Sequence, residues 1–292
     1  MTRFSIILCT LGSNLDLLKR CLLSIKRQSF SDYSVMVIYQ GGGDIQKVVE
    51  EISIPIKYLT SNIKSLSLAR NMGIRESDAE YLVFMDDDAY MEGNFLEMAD
   101  RIIRDTKASG LAGIVLNDKD GKLLGRSIKK DRSFFLKLDD YNQWMSSATI
   151  IKKEDLSQIG CYDEDFGIGG KWYAAEDSDV AIRLLLNNKS LYFCTDLIVY
   201  HPSENDKLSM LSFSEVFIRG FRYGTSRSAL LKKVFSTTHR KKWAIKYWII
   251  LITYSVIGGI LSIFRLNMKY ILLDIGNFFG RLTGFLSYRH ES

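Results

Sequence analysis

Short apolar runs alternate with amphipathic stretches along the first two hundred residues. Phe4 to Thr10 (FSIILCT) is apolar with β-branched residues and reads as a buried strand. Gly12-Ser13-Asn14 breaks the run and supplies a helix N-cap. Leu15, Leu18, Leu22 and Ile25 then recur at helical spacing, with Lys19, Arg20, Lys26 and Arg27 on the other side. Strands are expected at Tyr33–Tyr39, Ile54–Leu59 and Tyr81–Met85. Helices are expected at Ile45–Ile52 and Ser65–Glu76, the second with Leu66, Ala69 and Gly73 on one side. Beyond a helix near Asn94–Thr106 come strands at Leu111–Leu116 and Ser146–Ile151, a helix at about Ser178–Asn187, and a last strand at Leu191–Tyr200. Asn117 to Gly121 carries a hairpin signal, and the charged, irregular stretch 122–142 is a candidate mobile loop. Such alternation with short connections predicts an open, mostly parallel α/β sheet.

The pattern changes after residue 205. Tyr247 to Phe264 is uncharged over 18 residues, the lower end for a transmembrane helix. Trp243, Tyr247 and Trp248 suit an interfacial aromatic belt, and Lys232-Lys233 and His239-Arg240-Lys241-Lys242 suit anionic headgroups. Tyr270 to Leu286 is also apolar but contains Asp274 and Arg281, which fits an interfacial helix or hairpin partner. The soluble alternative is a buried helical pair. Basic residues at both ends of 247–264 leave spanning and lying in the interface equally open.

Charge follows the same division. Residues 1–205 hold 25 Lys+Arg against 30 Asp+Glu, and residues 206–292 hold 14 against 4. The first part reads as an ordinary enzyme domain, 1–205. The second, 206–292, reads as a basic, apolar helical region that meets an anionic surface. Cys9, Cys21, Cys161 and Cys194 form no C-x-x-C pair and read as reduced thiols; the three histidines are too scattered for a zinc site. Met1-Thr2-Arg3 leads straight into a strand with no apolar leader, which places the catalytic part in the cytoplasm.

Ligands in open α/β sheets bind beyond the carboxyl ends of the strands. Three of the first four exits are small or polar: Thr10, the Gly41–Asp44 loop, and Asp86-Asp87-Asp88. Three adjacent carboxylates repel one another unless a cation compensates. Oxygen ligands at that place suit Mg²⁺ or Mn²⁺ carrying a phosphate, and strand alternation puts Asp86 and Asp88 on one side and Asp87 on the other. A solvated acidic turn is the bland alternative. The triple glycine does not open a helix after the first strand as a G-x-G-x-x-G would, which argues against dinucleotide binding. The segment Ile159–Arg183 is dense in glycine, aromatics and carboxylates. Within it Glu176-Asp177 stand at a helix start, where capping competes with catalysis as their role.

Several motifs in order resemble the family 2 glycosyltransferases, over about residues 4–205. They are Cys21-Leu22, Ser24 and Gln28 in the first helix; Ala69-Arg70-Asn71 with Gly73; Phe84-Met85-Asp86-Asp87-Asp88 as the D-x-D; Gly160-Cys161-Tyr162-Asp163-Glu164 with Phe166; and Glu176-Asp177 with Asp179 and Arg183. The resemblance implies a GT-A fold, a Rossmann-like, mostly parallel sheet followed here by the membrane-associating helical region. It implies an inverting glycosyltransferase that moves a sugar from a nucleotide-diphosphate donor with Mn²⁺ or Mg²⁺ as cofactor.

Roles follow from the resemblance. Asp88 becomes the metal ligand and Asp86 its neighbour at the ribose or metal shell. Thr10, Asp44, Arg70 and Asp87 line the donor side. Asp177 is the catalytic base, with Glu176 as competitor. Asp179 holds the helix start or an acceptor hydroxyl. Trp172 and Tyr173 either stack on an acceptor sugar or pack in a core, and His201 either reaches the metal or diphosphate or is a surface histidine before Pro202. Gln40 stands where the family often has an acidic reader of the nucleobase, leaving UDP, dTDP and even GDP open as donor nucleotides, with UDP or dTDP favoured. No Q-x-x-R-W occurs, so a single transfer is expected rather than processive synthesis. The basic tail adds a lipid-linked saccharide acceptor at the cytoplasmic face of a bacterial inner membrane, with peripheral or single-pass attachment, in surface polysaccharide assembly. The rival readings are a GT-A module without activity and a nucleotidyltransferase; the latter would want a basic loop after the first strand, where Leu11 to Asn14 has no cation.

Overall fold

The computed structural model describes residues 1–124, 131–145, 147, 149–203 and 208–289. The chain forms two compact units. The first comprises Met1–Glu164 and Glu176–Ser203; the second comprises Asp165–Ala175 and Glu204–Ser292. The short segment 165–175 therefore belongs with the C-terminal helices rather than with the residues on either side of it.

The first unit is built on one mixed sheet. Its strands are β1 (Phe4–Thr10), β2 (Tyr33–Tyr39), β3 (Ile56–Thr60), β4 (Tyr81–Asp86), β5 (Tyr90–Met91), β6 (Gly110–Asn117), β7 (Phe134–Phe135), β8 (Thr149–Lys152) and β9 (Leu191–His201). The order is β3-β2-β1-β4-β8-β6-β9-β5, with β7 also on β9. The half β3-β2-β1-β4 is parallel, as is β6-β9, while β8 runs against both of its neighbours. The predicted sheet is thus present, with β8 reversed between its two parallel parts. β3 begins two residues later than expected. Pro55 lacks the N–H a ladder needs, so pairing starts at Ile56.

Alternation along the strands divides the core between two faces. Phe4, Ile6, Leu8, Val35, Val37 and Val83 point one way and pack on α1 (Leu15–Lys26), α2 (Gln46–Ile52) and α4 (Phe95–Thr106). Ile7, Met36, Ile38, Leu82 and Phe84 point the other way, onto α3 (Leu66–Glu76), α5 (Lys153–Gln158) and α6 (Glu176–Leu186). The Asn14 and Ser65 side chains cap α1 and α3 as N-caps do. Gly73 lets α3 come close: a Cβ there would lie 2.7 Å from Ile7 Cγ2. The stretch expected to be a mobile loop contains β7 and a 3₁₀ turn, Leu138–Gln143; its residues 125–130 lie outside the described ones. β5 and α5 were not foreseen, because two and six residues are too short for periodicity to register.

The second unit contains α7 (Phe213–Thr237), α8 (Lys241–Phe264) and α9 (Met268–Ser287). Ser212 and Glu215 form a capping box at the start of α7. Glycines set the packing of α7 on α9. A Cβ on Gly276, Gly280 or Gly284 would fall 2.1–2.3 Å from the carbonyl oxygens of Phe217, Phe221 and Thr225 in turn, and Gly220 and Gly224 approach Leu273 and Asn277 as closely. No side chain fits between the two backbones. Of α8, only Ala244, Ser255 and Ser262 are buried, while Ile249, Ile260, Ile263 and Phe264 are at least half exposed. That distribution inverts a soluble amphipathic helix. Within the same unit Trp172 is 6% exposed and lies among Phe166 and Tyr288, and Tyr173 meets Tyr223 edge to face.

Candidate active site

Three strand ends and one helix start bring the polar groups of the first unit together. β1 and β4 are in register at Cys9 and Asp86, so Thr10 and the aspartate triplet emerge side by side. β9 ends at His201. Asp86, Asp88 and His201 each offer a ligand atom within 4.8 Å of the others. His201 Nε2 lies 3.0 Å from Asp88 Oδ1 and 3.7 Å from Asp86 Oδ2. Asp87 points elsewhere and accepts a hydrogen bond from Thr10 Oγ1 at 2.5 Å, while Thr10 Oγ1 accepts from Gly12 N–H.

The imidazole of His201 explains what the cluster can hold. Its Nδ1 is 2.7 Å from the Pro202 carbonyl, which can only accept, so Nδ1 carries a proton. Nε2 then faces two carboxylates with either a second proton or a bare lone pair. Burial alone pulls this imidazole down, but hydrogen bonding to Asp88 and the charges of Asp86 and Asp88 outweigh it and leave its pKa above the ordinary value. A divalent ion would satisfy the same three atoms with the histidine neutral, and a carbonyl on the far nitrogen is the usual support for a metal-bound imidazole.

Arg70 joins this cluster to the second group of acids. Its guanidinium is 2% exposed and contacts Asp86 Oδ1 at 3.5 Å, Glu176 Oε1 at 3.3 Å and Asp177 Oδ1 at 3.0 Å. Burial opposes its charge, yet Asp177, Tyr162, Glu176 and Asp86 hold its pKa well above normal. Gly73, one turn later on α3, permits the close approach to β1 described above. Glu176 is different from its neighbour. Burial first, and then the charge of Asp177, push its carboxyl up to about 8. At neutral pH Glu176 is therefore mostly protonated.

The remaining predicted residues fall as follows. Gln40 is buried and its amide donates to the Ile63 and Ser65 carbonyls. Asp44 is exposed and accepts from the Gln46 N–H. Asp179 is 1% exposed and pairs with Arg183, whose guanidinium also donates to the Ile159 and Cys161 carbonyls. Its place is thus beneath the site, fastening the Gly160–Glu164 segment. Asn71 fastens the same segment, exchanging two hydrogen bonds with the Tyr162 backbone and giving a third to Glu164. Trp172 packs in the second unit, as described.

Sequence reasoning missed three contributors. Ser147 donates to Asp86 Oδ2 at 2.9 Å. Arg20 donates to the Asp88 carbonyl at 3.1 Å and to Asp118 Oδ2 at 2.7 Å, and its guanidinium lies over the Tyr90 ring. Asp118 in turn donates its N–H to the His201 carbonyl at 3.2 Å. This clip holds the backbone of both Asp88 and His201. Arg20 looked like one cation among four on the solvent side of α1, and nothing in its spacing distinguished it.

Comparisons place this geometry among known proteins. The profile of Glycosyl transferase family 2 matches residues 5–161, more than half of the chain. The glycosyltransferase GlyA of Streptococcus pneumoniae is 27% identical over 199 residues, 60% of this chain but 28% of its own length. The poly(ribitol-phosphate) β-N-acetylglucosaminyltransferase TarP of Staphylococcus aureus is 25% identical over 248 residues, covering 81% of this chain and 73% of TarP. Among solved structures, S. aureus TarS 1–349 in complex with UDP-GlcNAc superposes with a TM-score of 0.60 at 16% identity, over 98% of this chain and 91% of that one. The mannosyltransferase PcManGT of Pyrobaculum calidifontis, in complex with GDP-Man and Mn²⁺, gives 0.65 at 13% identity, over 99% and 88%. The fold is the GT-A fold of these enzymes, and the chain belongs to glycosyltransferase family 2.

Proposed function

We propose that the chain transfers a single sugar from a nucleotide-diphosphate donor, with inversion, to a hydroxyl of a lipid-linked glycan at the cytoplasmic face of a bacterial membrane. The observation that carries this reading is Arg70, which ties a carboxylate–histidine cluster to Asp177 at a helix start. Asp86, Asp88 and His201 would hold Mn²⁺ or Mg²⁺, whose chemistry is to neutralise charge on the leaving diphosphate. Asp177 takes the proton from the acceptor hydroxyl as that oxygen attacks the anomeric carbon from the face opposite the leaving group. Burial and the charge of Asp177 raise the Glu176 carboxyl and so make it the weaker candidate for this step. Arg70 orients Asp177 through its hydrogen bond and keeps the two acidic groups from repelling one another. The bond from anomeric carbon to acceptor oxygen forms as the bond to the diphosphate oxygen breaks, so inversion follows from one in-line displacement.

UDP is the favoured donor nucleotide. TarS, which shares the fold, binds UDP-GlcNAc. The acceptor of TarP is a poly(ribitol-phosphate) by its name, an anionic polymer that suits the basic second unit. The inverted α8 supports attachment to a membrane, where lipid-linked acceptors reside. Thermal unfolding with UDP-, dTDP- and GDP-sugars, each with and without Mn²⁺, tests the donor claim. A metal-dependent rise with a UDP-sugar is expected, and no shift with any of them sinks the reading. Asp177→Asn is expected to lower turnover by at least about 10²-fold while the Mn²⁺-dependent donor shift persists. Loss of both would make Asp177 a structural cap.

A further inference from the structure

α8 is 24 residues long, about 36 Å at the helical rise, and so reaches across a bilayer by length. Its packing argues for a different arrangement. The glycine contacts pair Phe217 with Gly276, Phe221 with Gly280 and Thr225 with Gly284. Each pair is 59 positions apart, so α7 and α9 run parallel at fixed offset. Lys269, at the start of α9, donates to the Leu208 and Ser209 carbonyls just before α7, which extends the same register to that end. Whatever depth α9 reaches, the α7 residues beside it reach too.

Those α7 residues include Glu215, Arg219, Arg222 and Arg227, of which all but Arg219 are exposed. Arginine and glutamate at the centre of a bilayer are among the costliest of side chains. α8 is in turn fastened to α9. Trp248 donates to the Arg281 carbonyl, Arg281 donates to the Leu251 carbonyl and to Ser255, and Ser262 donates to Asp274. A crossing hairpin would therefore drag the charges of α7 into hydrocarbon or tear these bonds.

The charges at the ends of α8 fit the alternative. Lys241, Lys242 and Lys246 stand at one end, Arg265 just beyond the other. A crossing helix would put these groups on opposite sides of the membrane. A helix in the plane lets both reach anionic headgroups on one side.

Resting on the membrane attachment proposed above, we infer that α8 and α9 lie in the plane of an anionic lipid surface, with the outward isoleucine face of α8 in the acyl layer and α7 on the water side, and that neither crosses.

The test is a pair of spin labels, on Ile249→Cys and Ile260→Cys of the full chain bound to vesicles of phosphatidylethanolamine with 30% phosphatidylglycerol. The unsubstituted chain supplies the background from its own cysteines. The two positions are three turns apart on one face. Depths from oxygen against nickel-complex accessibility are expected to agree within a helix diameter, about 10 Å. A depth difference approaching the roughly 16 Å that separates them along the axis means a crossing helix and overturns the inference while leaving attachment intact. No binding to the vesicles, or α8 covered instead by a second copy of the chain, overturns attachment and the inference together.

Discussion

Without Arg70, the carboxylates of Asp86, Glu176 and Asp177 would face one another in a space with little water to screen them. The same dependence on neighbours makes two single-residue predictions. The first concerns Glu176. Its folded pKa is about 8 against an ordinary value of 4.5, so the fold favours the protonated form. The stabilisation is complete below pH 4.5 and is lost as pH rises through 8. In urea titrations between pH 5 and 9 the wild type should lose stability relative to Glu176→Gln, which keeps the neutral amide throughout. Parallel curves would mean that Glu176 stays ionised. The second concerns the Arg20 clip. Arg20→Gln and Asp118→Asn should each weaken Mn²⁺ binding by about 10–100-fold in calorimetry, and the double variant should be little worse than either alone. Additive losses would show two separate effects rather than one clip. The D-x-D and the Glu-Asp pair were legible in the sequence as clusters of acids, one at a strand end and one at a helix start. Arg20, Asp118 and Ser147 were not, since their roles come from contacts across 61 to 98 positions of chain.

Elements were most legible where apolar residues repeat. β1, β2, β4, α1 and α4 fall within a residue or two of their expected limits. The start of β8 moved by three residues, from Ser146 to Thr149, as hydrogen bonding rather than hydrophobic pattern decides such limits. α6 starts at Glu176 itself, directly after Ala175 at φ +79°, a left-handed turn that alanine seldom adopts and no periodicity reveals. The glycine register of α7 and α9 was equally hidden, because a residue without a side chain leaves no hydrophobic mark. It yields a paired prediction. Gly280→Ala puts a Cβ 2.2 Å from the Phe221 carbonyl oxygen and should cost about 1–3 kcal/mol in thermal or denaturant unfolding. Gly259→Ala in α8 meets nothing nearer than Asp274 Cβ at 3.8 Å and should instead stabilise by up to about 1 kcal/mol. Equal effects would mean that helix propensity alone governs both positions.

At the scale of the whole molecule the chain divides its charge, an acidic excess before residue 206 and a basic excess after it. Binding of the full chain to phosphatidylglycerol vesicles should therefore weaken as sodium chloride rises from 0.05 to about 0.5 M, since headgroup attraction is screened over a Debye length. Salt-independent binding would leave the isoleucine face as the whole attraction. The charge boundary was readable from composition, but the route of the backbone was not. The segment 165–175 joins the second unit, and its Trp172, Phe166 and Tyr173 pack there against Tyr288 and Tyr223. The backbone thus passes between the units three times rather than once, and Glu176-Asp177 are the first residues on its return to the first unit. No single cut yields two whole pieces. A gene fusion or truncation at residue 203 would carry away the partners of an eleven-residue loop and leave its tryptophan in water. Inheritance of one unit without the other would need two joints to be remade at once, which ties the two units together as a matter of descent.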